Sequence, residues 1–224
     1  MSLHAPHAVV FDLDGTLVDS RAEISATLQE AVRACGLPAI PPLGAEHIGP
    51  PLDVLLPRLL PGLDAATVAR VRAAFTARYD ASDYALTRPY AGAHDLLALL
   101  AAQGVALFVA TAKRAVPTLR LLAARGLGPF ADVACVDSVP GTSRTKSAMV
   151  GELVAAHGLD AARTWMVGDT ASDLRAAKDH GLVAVAAAYG YGSPAELAAE
   201  APDATVRSVP ELAALVRAAA AEVA

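Results

Sequence analysis

Val9-Val10-Phe11-Asp12-Leu13-Asp14-Gly15-Thr16-Leu17 is the stretch on which the reading of the fold turns. An apolar strand runs straight into two carboxylates, and a glycine and a threonine follow. In open α/β sheets this place, the carboxyl end of a strand, is where ligands bind. An ordinary turn accounts for one aspartate, because Asp and Gly favour local hydrogen bonding and positive φ there. It does not account for the whole string.

Working outward, short Val- and Ala-rich runs alternate with amphipathic segments of helix length. That pattern predicts an α/β protein, a Rossmann-like parallel sheet with helices on both faces. Candidate strands are 8–11, 105–110, 133–136, 164–167 and 183–187, each apolar over most of its length as strands buried on both faces should be. Gly104, Gly126, Gly158 and Gly181 each follow an amphipathic run and end it. Ser193-Pro194-Ala195-Glu196 and Ser208-Val209-Pro210-Glu211 each carry the start signal of a helix.

Between the first strand and residue 105 the helical candidates are 20–35, 52–60 and 64–79. Ile24, Leu28, Ala31, Val32 and Cys35 share one face, as do Val68, Val71, Phe75 and Tyr79, and Ser20-Arg21-Ala22-Glu23 predicts a capping box. These stripes read as packing within a helical insertion. The expected division is therefore an α/β core of 1–18 and 88–224 and a helical cap of 19–87.

Composition narrows the function. A chain of 224 residues, 54% hydrophobic, is long enough to bury a core. A net charge of −5 and a pI near 5.6 argue against general binding to nucleic acid or anionic membrane, so an anionic substrate must meet local positive charge. Cys35 and Cys135 lack CxxC spacing and read as reduced thiols; with no secretory leader or membrane-length apolar run, a cytoplasmic location is expected. No segment specifies an oligomeric state.

Asp12-Leu13-Asp14-Gly15-Thr16 resembles the first motif of the haloacid dehalogenase-like superfamily of phosphatases, and the other motifs follow in order at successive strand ends. Thr111 is similar to the second, a hydroxyl that binds a phosphate oxygen. Lys146, ahead of a helix at 147–157, resembles the third, a lysine that offsets charge on nucleophile and phosphoryl group. Val167-Gly168-Asp169-Thr170-Ala171-Ser172-Asp173 resembles the fourth, an acidic pair that holds magnesium. Singly, each later motif has an ordinary explanation: a Thr after a strand, a solvated Lys, a turn followed by a helix cap. Their order along the chain does not.

The resemblance implies a Mg2+-dependent phosphatase that acts on a small phosphorylated metabolite, with Asp12 as nucleophile and an aspartyl-phosphate intermediate. The implied metal ligands are the Asp12 side chain, the Asp14 main-chain carbonyl and Asp169, with Asp173 in support. Asp14 is then the acid and base, and its presence disfavours dehalogenation, since dehalogenase relatives lack an acid at that position. Thr111 and Lys146 complete the cradle for the phosphoryl group.

The implied substrate is 2-phosphoglycolate, because Asp19-Ser20, His47-Ile48-Gly49-Pro50-Pro51-Leu52 and Ala188-Tyr189-Gly190-Tyr191-Gly192-Ser193 resemble segments of phosphoglycolate phosphatase-like members. The Gly-Pro-Pro turn reads equally as a rigid connection. Lys113 is either a contact for a substrate carboxylate or phosphate, or a solvated loop lysine. Arg21 and Arg88 either reach the site or are simply exposed, and His94, His157 and His180 lack metal-ligand spacing. A nucleoside monophosphate, a sugar phosphate or pyrophosphate stays open as substrate. So do a sugar phosphomutase of the same superfamily and a non-catalytic phosphate-binding protein. Phosphonate cleavage is disfavoured because no lysine lies between Asp19 and Arg88.

Overall fold

The computed structural model describes residues 3–139, 141 and 143–221. In chain order the elements are β1 (Ala8–Phe11), β2 (Val18–Asp19), α1 (Arg21–Ala34), α2 (Leu52–Leu59), α3 (Ala65–Ala81), β3 (Arg88–Pro89), α4 (Ala93–Ala102), β4 (Ala106–Thr111), α5 (Ala115–Ala124), β5 (Asp132–Cys135), α6 (Lys146–His157), β6 (Thr164–Gly168), α7 (Ala171–Asp179), β7 (Val183–Ala187), α8 (Pro194–Ala199), β8 (Ala204–Val206) and α9 (Val209–Ala221). The chain divides into two compact units, one of Met1–Asp19 with Pro89–Ala224 and the other of Ser20–Arg88.

The first unit holds a six-stranded sheet in the order β5-β4-β1-β6-β7-β8, every pair parallel. This is the α/β Rossmann-like architecture that the alternating pattern predicts. Strand β1 lies between β4 and β6, with Val9 in register with Leu107 on one side and Trp165 on the other. Strand order reverses at β1, so the carboxyl ends of β4, β1 and β6 open one crevice at the switch point. Alternate side chains serve opposite faces. On one face Val10, Phe108, Met166 and Ala184 pack with Met149, Val150 and Leu153 of α6 and Leu174 and Ala177 of α7, all buried. Burying each of the Val, Leu, Met and Phe side chains among them is worth roughly 1.5–3 kcal/mol, which makes the central strands the rigid part of the unit.

In the second unit Leu28, Ala31 and Val32 of α1, Leu55 and Leu56 of α2, and Val68 and Val71 of α3 form one core, with Ile24, Cys35 and Phe75 packed at its edge. Phe75 and Tyr79 stack with ring centroids 5.2 Å apart. The helical stripes read from the sequence are therefore packing surfaces.

The structure also departs from the expectations. The capping box at Ser20 does not form: the Ser20 side chain makes no capping hydrogen bond. Glu23 instead accepts from Ser82 Oγ at 2.6 Å and from the Leu86 N–H at 2.8 Å. A buried carboxylate takes the tertiary donors that desolvation leaves beside it in preference to a local N–H. Ser193 likewise makes no side-chain cap, whereas Ser208 Oγ accepts from the Glu211 N–H at 3.2 Å. Strand β4 starts at Ala106 and includes Thr111, and β5 runs one residue earlier than expected. Strand β8 was not foreseen, because three residues, two of them not fully buried, leave no apolar run to detect. Cys35 is half-buried and Cys135 buried, and both are free thiols.

Candidate active site

Asp12 follows β1 directly, its N–H donating to the Val167 carbonyl of β6 at 2.9 Å. Its side chain sits at the crevice floor, and Lys146 Nζ donates to Asp12 Oδ1 at 2.6 Å. Lys146 is the first residue of α6, one position earlier than expected, with Thr145 Oγ1 capping the helix by accepting from Ala148 N–H at 3.1 Å. That cap fixes where the lysine stem leaves the helix. Its ammonium group then reaches the Ala110 carbonyl at 2.8 Å and Asp173 Oδ1 at 2.9 Å. One buried cation thus ties the end of β4, the end of β1 and the start of α7.

Asp169 follows β6 directly and is fully buried. Thr16 Oγ1 donates to its Oδ1 at 3.1 Å and the Tyr191 N–H donates to its Oδ2 at 2.7 Å. Asp173 has two uses. Its Oδ2 accepts from the Thr170 N–H at 3.0 Å and from Thr170 Oγ1 at 2.7 Å, capping α7, while Oδ1 faces Lys146. The helix-cap reading of that motif therefore holds for a side chain that also faces Lys146.

Asp12, Asp169 and Asp173 each offer an oxygen, and these lie within 4.8 Å of one another. Burial raises the Asp12 carboxyl to about 6 against the opposing pull of Lys146, with Asp173 adding to the rise. Burial and the charges of Asp12 and Asp173 raise Asp169 to about 7. The same neighbours keep the Lys146 ammonium charged, shifting it upward in spite of burial. This donor set fits a hard divalent cation: buried carboxylate oxygens that repel one another are stabilised when such an ion stands among them.

A pH dependence follows. Both carboxyl groups bind protons more tightly in the folded protein than in the unfolded chain. Stability is therefore fully present below the ordinary carboxylate pKa and is lost as pH rises through about 6 and 7. Metal-free protein is expected to melt roughly 5–10 °C lower at pH 8 than at pH 5, with magnesium restoring most of the difference. A flat profile in thermal unfolding, or equal stabilisation by magnesium at both pH values, overturns this account.

Thr111 is the last residue of β4 and buried, and its Oγ1 accepts from the Lys113 N–H at 3.2 Å. Lys113 is not a solvated loop lysine: its side chain is 6% exposed, and its Nζ meets Asp14 Oδ2 at 2.8 Å and Oδ1 at 3.1 Å. Arg21 and Arg88 are exposed. His94, His157 and His180 bond to the Arg125 carbonyl, Asp132 and the Ser147 carbonyl respectively. Within the helical unit, His47 Nδ1 accepts from the Gly44 N–H at 2.9 Å.

The loop after β7, which resembles a segment of phosphoglycolate phosphatase-like members but has no predicted contact with the acids, packs against Asp169 and Asp19. Besides its N–H to Asp169, Tyr191 donates its hydroxyl to Asp19 Oδ1 at 2.7 Å, and Tyr189 donates to the Thr16 carbonyl at 2.8 Å. Burial pushes the Tyr189 phenol up, which keeps it a donor. The approach is close enough to demand glycine. A Cβ at Gly192 would lie 1.7 Å from the Asp169 carbonyl oxygen, and one at Gly15, where φ is +88°, would lie 2.2 Å from Asp169 Oδ2. The Tyr-Gly-Tyr-Gly spacing was the available signal, since glycines alternating with tyrosines after a buried strand mark a close backbone approach.

Residues 9–187 match the model of the haloacid dehalogenase-like hydrolases, and the chain belongs to that family. A phosphoglycolate phosphatase of Vibrio vulnificus is 29% identical over 213 residues, which is 91% of this chain and 93% of that protein. The tyrosine-protein kinase PtkA of Mycobacterium tuberculosis is 34% identical over 189 residues, 84% of this chain and 64% of its own length. Among solved structures, a haloacid dehalogenase-like family hydrolase from Streptococcus pneumoniae superposes with a TM-score of 0.80 at 23% identity, covering 94% of this chain and 98% of that one, a likeness of fold. Among the described residues no helix is long and apolar enough to cross a membrane.

Proposed function

We propose that this hydrolase is a Mg2+-dependent phosphatase that cleaves a small phosphate monoester, 2-phosphoglycolate in the first instance, through an aspartyl-phosphate on Asp12. The observation that carries the proposal is the buried cluster of Asp12, Asp169 and Asp173, with Lys146 bridging Asp12 and Asp173, at the switch point of the sheet. An Asp12 oxygen attacks phosphorus, the bond from phosphorus to the ester oxygen breaks, and the departing alkoxide takes a proton from Asp14. Water then attacks the aspartyl-phosphate, gives its proton to Asp14, and releases inorganic phosphate with Asp12 regenerated.

Asp12, the Asp14 carbonyl and Asp169 would hold the magnesium ion, with Asp173 in support. When bound, the ion supplies positive charge that lets a carboxylate approach a phosphate dianion. Thr111 carries a hydroxyl whose oxygen is already engaged by the Lys113 N–H, so its proton is available to a phosphate oxygen. Lys146 keeps the Asp12 carboxylate fixed and offsets charge as it moves onto the phosphoryl group.

The helical unit Ser20–Arg88, inserted in the chain just after the nucleophile, is assigned the role of a cap that selects the substrate. Phosphoglycolate leads because the Vibrio vulnificus relative bears that name over nearly its whole length. Two free thiols fit a reducing, cytoplasmic setting.

Release of inorganic phosphate from 2-phosphoglycolate, sugar phosphates, nucleoside monophosphates and pyrophosphate, with magnesium and with excess chelator, tests the reading. Release that requires magnesium supports it, and the ester with the highest kcat/KM identifies the substrate. Conversion of a sugar phosphate to its isomer without phosphate release replaces it with a mutase. Folded protein that is inert on every ester replaces it with a binding protein.

A further inference from the structure

Asp14 has a partner that the phosphatase reading does not use. Its two carboxylate oxygens share the ammonium group of Lys113, at 2.8 and 3.1 Å, and the two side chains are 6% and 17% exposed. The lysine is itself held: its N–H donates to Thr111 Oγ1, so its stem leaves the β4–α5 turn from a fixed point. A carboxylate beside solvent samples several rotamers, whereas one gripped through both oxygens by a buried cation is confined to one.

We propose that Lys113 is a positioning residue for Asp14: it aims the carboxylate that exchanges protons with the leaving oxygen and the attacking water, and is not a contact for the substrate. The proposal rests on the phosphatase reading. It deepens that reading by giving one threonine two neighbours to place: Thr111 Oγ1 holds the lysine main chain, and the lysine holds the acid. The strand end β4 thereby orients the proton-transfer group as well as the phosphoryl site.

The test compares Lys113→Met, Lys113→Arg, Asp14→Asn and the double variant Asp14→Asn/Lys113→Met on an alkyl ester and on p-nitrophenyl phosphate, whose phenolate departs without a proton. Lys113→Met is expected to lower kcat on the alkyl ester by about ten- to a hundredfold, with KM changed by less than about twofold. Its kcat/KM on p-nitrophenyl phosphate should fall by less than about threefold, since no proton is needed in that step. Lys113→Arg should recover part of the loss, and in the Asp14→Asn background Lys113→Met should cost nothing more.

A rise in KM with kcat preserved makes Lys113 a substrate contact and overturns the proposal. So does an equal loss on both esters that persists without Asp14. Urea unfolding at pH 7 reads the same pair without turnover: Lys113→Met should be less stable than the double variant, because the single change strands a carboxylate. If the wild type hydrolyses no ester, the phosphatase reading has failed, and that unfolding comparison alone decides whether Lys113 holds Asp14.

Discussion

Asp12→Asn is expected to lower kcat by about 10³-fold or more while leaving the protein folded. The amide has nearly the shape of the carboxylate, but its oxygen carries too little charge to attack phosphorus. Removing a charge from a buried site is often destabilising; here the sign is reversed. The Asp12 carboxyl is raised to about 6, so its ionised form is less stable in the folded protein than in the unfolded chain at neutral pH, even with Lys146 beside it. Substitution by a neutral group relieves that repulsion. Metal-free Asp12→Asn should therefore melt at or above the wild-type temperature at pH 8, with no such gain at pH 5, where the wild-type group is already protonated. Initial rates with magnesium and thermal unfolding without it check both halves. Turnover near the wild-type rate sinks the covalent mechanism.

The second large effect is expected from Lys146→Met, a change that keeps most of the stem and removes the cation. Lys146 Nζ contacts Asp12 Oδ1, Asp173 Oδ1 and the Ala110 carbonyl, and all three lose their donor together. Breaking a buried pair by removing one partner costs on the order of 3–5 kcal/mol, because the remaining charge stays desolvated. Two carboxylates are stranded here, so the cost at pH 8 should reach that range. Protonation of Asp12, whose carboxyl burial raises to about 6, discharges its part of the penalty as pH falls, and the deficit should shrink at pH 5. Activity should drop by about 10³-fold, since the charge that offsets the phosphoryl group disappears with the one that orders Asp12. Urea unfolding at the two pH values is the measurement. A destabilisation of equal size at both would mean that Lys146 acts through packing and not through charge.

Much of the site was legible in the sequence because its residues occupy strand ends, and strands buried on both faces are visible as apolar runs. Asp12 follows β1, Thr111 closes β4, and Asp169 follows β6, so an α/β alternation is enough to bring them to one edge. Lys146 and Asp173 sit in the first turns of α6 and α7, where caps mark the boundary. The pairing of Lys113 with Asp14, across 99 positions, was not legible, because a lysine two residues past a strand end has the same local signature whether it meets substrate, solvent or an acid. The capping box predicted at Ser20 does not form for the converse reason: Glu23 has the right spacing, but donors at Ser82 and Leu86 engage its carboxylate instead.

What the sequence by itself determined is the alternation of elements, the places where helices start and stop, and the order of acids and hydroxyls along the crevice. These depend on period, backbone freedom and neighbours a few residues away. What only the tertiary structure decided is which charge meets which: that Lys146 joins two carboxylates, that Lys113 grips Asp14, and that a backbone N–H of Tyr191 and two glycines close around Asp169. Electrostatic and steric partners are chosen by distance in a desolvated space, and that distance exists only once the sheet has brought its strand ends together.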